Sequence, residues 1–137
     1  MTAQPAQRSG ALDILKQMLG DRLSTAMAVR QQHGKDESYH TPHAPEAVAF
    51  AQSTEEVSEI VKVCARFKTP VIPFGTGTSL EGGVAALHGG ICIDVSQMNK
   101  VLQVNVEDLD VTVQAGVTRK QLNEYIRDTG LFFPIDP

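Results

Sequence analysis

The chain has 137 residues, enough for one ordinary domain with a real core. With 42% hydrophobic and 20% charged residues it has the balance of a globular protein, and its apolar runs fall short of the roughly 20 residues a membrane helix needs. The net charge of −4, with Lys and Arg scattered, argues against a nucleic-acid binder, which normally shows a basic face.

The opening "MTAQPAQRSGA" has neither an apolar signal core nor the Arg-rich look of a transit peptide. Residues 1–11 are therefore expected to be a disordered tail on a cytoplasmic protein. "ALDILKQMLG" sets Leu12, Leu15, Met18 and Leu19 on one helical face, with Gly20 as the stop. "STAMAVRQQ" suits a short helix, and "HGKDESYHTPHAPE" reads as a loop. His33, His40 and His43 lie there with Asp36, Glu37 and Glu46, but their spacing fits no zinc pattern, so solvated loop histidines and no metal site are expected.

"AVAFA" (47–51) reads as a strand. Ser53 and Glu56 form an S-x-x-E capping box, and Val57, Ile60, Val61, Cys64 and Phe67 follow at helical spacing. "VIPF" then reads as a buried strand, so residues 47–74 spell a βαβ unit with parallel strands. Further strands are expected at "ICIDV", "VLQVN" and "VTVQA". Thr118 and Gln121 open another capped helix with Leu122, Tyr125 and Ile126 inward, Gly130 ends it, and "LFFPI" resumes extended structure. The predicted fold class is α/β (α+β), with βαβ units and a small mixed sheet. Cys64 and Cys92 sit in apolar segments outside any C-x-x-C pair and read as reduced core residues. Asp94, at the end of an apolar strand, is expected to bond turn amides near Ser96.

The chemistry concentrates in "VIPFGTGTSLEGG", a strand running into a Gly-rich loop with no Lys or Arg. Gly75, Gly77, Gly82 and Gly83 permit positive φ and close backbone approach to a ligand, while successive N–H groups form an anion-binding nest. Thr76, Thr78 and Ser79 add hydroxyls, and Glu81 is expected to point away. The third position of a G-x-G-x-x-G fingerprint is Leu80, and the Lys of a Walker A loop is missing. A buried diphosphate that is never transferred suits such neutral donors better than a reacting γ-phosphate. A glycine-rich turn without any ligand is the plain alternative.

"PEAVAFAQSTEEVSEIVKVCARFKTPVIPFGTGTSLEGG", continued by "DVTVQAGVT" and "FPIDP" in that order, resembles the FAD-binding domain of the vanillyl-alcohol oxidase/p-cresol methylhydroxylase (PCMH) superfamily. The branch it resembles holds the FAD-linked D-lactate dehydrogenases and the glycolate oxidase flavin subunit. The resemblance covers residues 12–137 and implies the first part of such a domain, with its remainder and the substrate cap, which carries that branch's metal site, absent. It implies that Pro73, Gly75, Thr76, Gly77, Thr78, Ser79, Gly82 and Gly83 line the FAD pyrophosphate, and that Pro134, Asp136 and Pro137 approach the flavin side. Thr78 stands where some relatives attach flavin to a His, which implies non-covalent FAD. No catalytic residue is assigned. The implied parent oxidises a D-2-hydroxy acid such as D-lactate or glycolate and passes electrons to an acceptor, through which any membrane association would run. The fragment alone is expected to be inactive and to bind FAD weakly or not at all. The apolar ending "GLFFPIDP" suits a truncated chain. Two other readings stay open: a non-catalytic module that homodimerises through exposed strands and no longer binds FAD, and a nucleotide-binding module outside redox chemistry.

Overall fold

The structure, a computed structural model, describes residues 5–136. In chain order it contains α1 (Pro5–Leu19), β1 (Leu23–Ser24), α2 (Met27–Gln32), β2 (Ala47–Phe50), α3 (Thr54–Arg66), β3 (Val71–Phe74), β4 (Ile91–Asp94), β5 (Val101–Asn105), β6 (Asp110–Val113) and α4 (Arg119–Ile126). Helix α1 takes in residues 5–11, where the sequence suggested a loose tail, and residues 1–4 of that tail lie outside the described residues. Leu15 and Leu19 are buried as their spacing requires, whereas Met18 is exposed. Gly20 adopts φ +57 just past the helix, and Lys16 donates to its carbonyl at 3.0 Å, a basic side chain at the negative helix end.

Four strands form one sheet in the order β1-β2-β4-β3. Strands β2 and β3 both run parallel to β4, and β1 pairs antiparallel on the outer side of β2. The predicted βαβ unit is present, but β4 is inserted between its two strands. All four residues of β4 are buried, as expected of an apolar strand covered on both faces. One face of the sheet carries Ala47, Ala49, Ile91 and Ile93 against Leu15, Leu19, Ile60, Cys64 and Met98. A smaller cluster gathers Ile72, Val84 and Ala86 with Phe74.

The cap of α3 is half of the expected box. Ser53 Oγ accepts from the Glu56 N–H at 3.2 Å, but the Glu56 carboxylate pairs with Arg22, which also donates to the Phe50 carbonyl. A tertiary ion pair thus displaces the local reciprocal bond. The box on α4 is complete, with Thr118 and Gln121 each accepting from the other's backbone N–H.

Strands β5 and β6 form a separate antiparallel hairpin. Gly116 joins it to the main sheet: its N–H donates to the Met98 carbonyl at 2.9 Å, and a Cβ there would sit 1.9 Å from the Val95 carbonyl oxygen. Leu122 and Ile126 of α4 are buried, but Tyr125 is exposed, against the sequence reading. With only 8 residues in the helix, Leu122 and Ile126 at i, i+4 define the inner stripe and Tyr125 falls outside it. No strand follows: residues 131–136 form no regular element, and the Asn123 side chain instead brackets Phe133 by donating to its carbonyl and accepting from its N–H.

Both cysteines are free and buried. Burial pushes Cys64 up to about 11, and Cys92 to about 12 with a smaller contribution from the Asp94 charge, so both remain neutral thiols.

Candidate anion cradle at the carboxyl ends of the parallel strands

The three parallel strands finish in register, with Phe50 and Phe74 both opposite Asp94. In open α/β sheets this carboxyl edge is where ligands settle, because loops leaving it can converge on one crevice. The loop leaving β3 carries Gly75 to Gly83.

Gly77 and Gly82 adopt φ +71 and +72, so the loop turns at two left-handed positions. Gly75 and Gly83 do not use the positive φ that glycine permits. Their contribution is space: a Cβ on Gly75 would meet nothing within 4 Å, and one on Gly83 only Ser79 Oγ at 3.9 Å. A Cβ on Gly82 would lie 2.5 Å from the His40 ring, and one on Gly77 2.9 Å from the Phe74 ring. Two glycines therefore shape the loop, and two leave its approach open.

The same loop carries hydrogen-bond donors. Among the described residues, no protein acceptor is recorded for the backbone N–H groups of residues 75–79. Thr76 and Thr78 place their hydroxyls 3.2 Å apart, and Ser79 Oγ accepts from the Glu81 N–H. Glu81 is exposed. The loop itself thus offers neutral donors and no Lys or Arg, the chemistry of a concave anion nest.

A second loop supports it from below. Glu37 N–H donates to the Ser79 carbonyl at 3.1 Å, and Ala86 N–H donates to the His43 carbonyl at 3.0 Å. The Asp36 carboxylate accepts from the Ser38 hydroxyl and backbone N–H, and the hydroxyl bond above all holds its pKa below the ordinary carboxylate value. The 34–43 segment is thus folded against the glycine loop. Spacing along the sequence could not show that packing.

His33 departs furthest from the sequence reading. It is buried, with Nε2 2.7 Å from Asp94 Oδ2 and Nδ1 2.8 Å from the Val29 carbonyl. Asp94 meets its expected partner as well, accepting from the Ser96 N–H at 2.7 Å. Among the described residues, no three His, Cys, Asp or Glu side chains gather as metal ligands.

The structure brings Pro73, Gly75, Thr76, Gly77, Thr78, Ser79, Gly82 and Gly83 together on one strand end and loop. Pro134 and Asp136 lie after α4, with Asp136 3.4 Å from Arg119, and Pro137 lies outside the described residues.

A family model described as an FAD binding domain matches residues 45–137. A probable mitochondrial D-lactate dehydrogenase of Danio rerio is 50% identical over 137 residues, 99% of this chain and 28% of that protein. A glycolate oxidase subunit of Bacillus subtilis is 37% identical over 93 residues, 68% of this chain and 20% of that protein. Among solved structures, p-cresol methylhydroxylase with substrate bound superposes with TM-score 0.82 at 25% identity, covering 94% of this chain and 26% of that one. The chain spans between a fifth and a third of the length of these relatives.

Proposed function

The chain belongs to the FAD binding domain family, and from that premise we propose that it forms the diphosphate-gripping part of a flavoenzyme that oxidises a D-2-hydroxy acid such as D-lactate or glycolate. The observation that carries this reading is the open row of N–H donors at residues 75–79, at the carboxyl ends of three parallel strands, with no side chain in front of Gly75. These residues suit the cofactor: FAD presents a diphosphate that must stay in place, and neutral amides hold an anion without a mobile cation.

In this proposal the 75–79 amides hold the diphosphate oxygens, the Thr76, Thr78 and Ser79 hydroxyls supply further donors, Gly82 turns the loop back and Gly83 lets the backbone close in. Pro73, near the end of β3, lines the approach, while the flavin side is assigned to Pro134, Asp136 and Pro137 by the resemblance alone. Thr78 has no ring nitrogen, which favours non-covalent attachment. Bound FAD supplies the two-electron acceptor for substrate oxidation. No acid–base residue for that step is assigned among the residues present. The fragment alone is therefore proposed to be inactive and to grip FAD weakly, and a longer polypeptide to complete the site.

Titrating the chain with FAD, riboflavin and ATP tests the reading. FAD should bind better than riboflavin, which lacks the diphosphate, and better than ATP. Equal affinity for riboflavin would remove the diphosphate from the account. Turnover of D-lactate by the chain with FAD and a dye acceptor would overturn the proposed inactivity.

A second reading is favoured by one specific feature. Phe132, Phe133 and Leu109 are exposed around a cavity of about 290 Å³ between the β5–β6 hairpin and α4. Such a patch suits self-association. Concentration-dependent dimers without flavin would support it.

Among the described residues no helix is long and apolar enough to cross a membrane. The proposed compartment is the cytoplasm. The name of the Danio rerio relative places that protein in mitochondria, so recovery of the native protein in a mitochondrial fraction would overturn the proposal.

A further inference from the structure

The buried His33–Asp94 pair takes no part in the cradle itself, yet it stands directly behind it. Both ring nitrogens of His33 face acceptors, the Val29 carbonyl at 2.8 Å and the Asp94 carboxylate at 2.7 Å. A carbonyl only accepts, so Nδ1 carries a proton, and the second contact is satisfied when a further proton lies between Nε2 and Oδ2. The ring thereby ties the end of α2 to the end of β4.

The same ring is packed between two strand ends. Its centroid lies 4.4 Å from that of Phe74, and it meets Phe50 edge-on at 5.7 Å. Phe74 is the last residue of β3, and its carbonyl accepts from the Val95 N–H at 3.1 Å. A Cβ on Gly77 would sit 2.9 Å from the Phe74 ring. Contact therefore runs from Asp94 through His33 and Phe74 to Gly77, the residue at which the cradle makes its first left-handed turn.

We infer that His33 and Asp94 are positioning residues that fix the exit of β3 and so hold the 75–79 amides ready for a diphosphate. The inference rests on the proposed role of that loop, although the bracket itself requires no ligand. A buried His–Asp pair that merely stabilises the whole fold would make a different prediction. It would protect every part of the sheet alike, whereas a positioning bracket protects the cradle end selectively.

Amide hydrogen exchange of the full chain, read by NMR, separates the two. The reporters at the cradle end are Val95 N–H, bonded to the Phe74 carbonyl, and Glu37 N–H, bonded to the Ser79 carbonyl. The reference is Ile91 N–H, bonded to Pro70 at the opposite end of the sheet. His33→Ala should speed exchange at Val95 and Glu37 by about tenfold or more, as loss of a hydrogen bond to a charged group implies, and leave Ile91 unchanged. It should also weaken FAD binding by roughly tenfold, in proportion to the fraction of loops held ready. Asp94→Asn, whose amide can donate to Nε2, should stay within about threefold of the native rates.

Equal acceleration at all three amides, or none at Val95 and Glu37, would overturn the inference. So would Asp94→Asn loosening the loop as much as His33→Ala. If His33→Ala does not fold, His33→Gln is measured instead: it keeps a donor toward Asp94, so a smaller but still local acceleration is expected, and a uniform one refutes the bracket. If the native chain binds no FAD, the functional reading fails while the exchange pattern still decides the bracket.

Discussion

Gly75 and Gly77 are two residues apart in one loop, and alanine should act oppositely at the two. Gly77 adopts φ +71, and its Cβ would press 2.9 Å from the Phe74 ring. An L-residue in that region costs about 1–2 kcal/mol, offset by the roughly 0.4–1 kcal/mol that losing a glycine gains in the unfolded chain. The ring contact adds strain that Phe74 must relieve by moving. Gly77→Ala should therefore destabilise the fold by about 1 kcal/mol, or a few degrees of melting temperature. At Gly75 the φ is not left-handed and no atom lies within 4 Å, so only the unfolded-state effect remains. Gly75→Ala should leave stability unchanged or raise it by about 0.4–1 kcal/mol. Its methyl group would nonetheless stand in the opening in front of the amides, and FAD binding should fall by about tenfold or more, about 1.4 kcal/mol. Thermal unfolding by circular dichroism and equilibrium dialysis against FAD measure the two effects. If Gly75→Ala binds FAD normally, or melts as early as Gly77→Ala, the assignment of space to one glycine and shape to the other is wrong.

Gly116→Ala should cost about 3 kcal/mol, the upper end for overpacking, because the atom in its way is the Val95 carbonyl and backbone cannot swing aside; an unchanged melting temperature would contradict this. Arg22→Ala removes a partly exposed ion pair with Glu56 and a bond to the Phe50 carbonyl, so urea unfolding should show a loss of only about 1 kcal/mol. Cys64 and Cys92 should resist a thiol reagent at pH 8 until the chain unfolds, since burial keeps both protonated, and rapid labelling of the native protein would refute their burial. The folded pKa values of both are raised, so their contribution to stability is present below the ordinary thiol value and fades as pH rises toward 11 and 12; urea midpoints measured from pH 8 upward should fall accordingly. Phe132→Ser should reduce any self-association without moving the melting temperature, because that ring is exposed; a large drop in stability would place it in the core instead.

Much of the fold could be read locally. The α3 and α4 starts follow from Ser53 and Thr118, and β4 from the apolar run of residues 91–93, because caps and burial act over a few residues. The glycine loop was equally legible as a turn after β3, since its glycines and its lack of Lys and Arg are visible in the sequence. What the sequence could not show depends on partners far along the chain. Glu56 leaves its box for Arg22, 34 residues away. His33 looked like a solvated loop residue because its partner Asp94 is 61 residues away. Tyr125 shares the apolar count of α4 but not its inner stripe, which a helix of two turns defines by only two residues. Nor could composition tell which glycines turn the chain and which only leave room, because that depends on what stands opposite each Cβ.

The central claim is that the amides of residues 75–79 grip the diphosphate of FAD. Backbone amide NMR of the chain during titration with FAD to millimolar concentration tests it most directly, since even weak binding moves the amides that touch the ligand. The account predicts that Gly75, Thr76, Gly77, Thr78 and Ser79 shift together and saturate, while the amides of the β5–β6 hairpin stay in place. If those five remain still, or if riboflavin moves them as far as FAD does, the loop is not a diphosphate cradle.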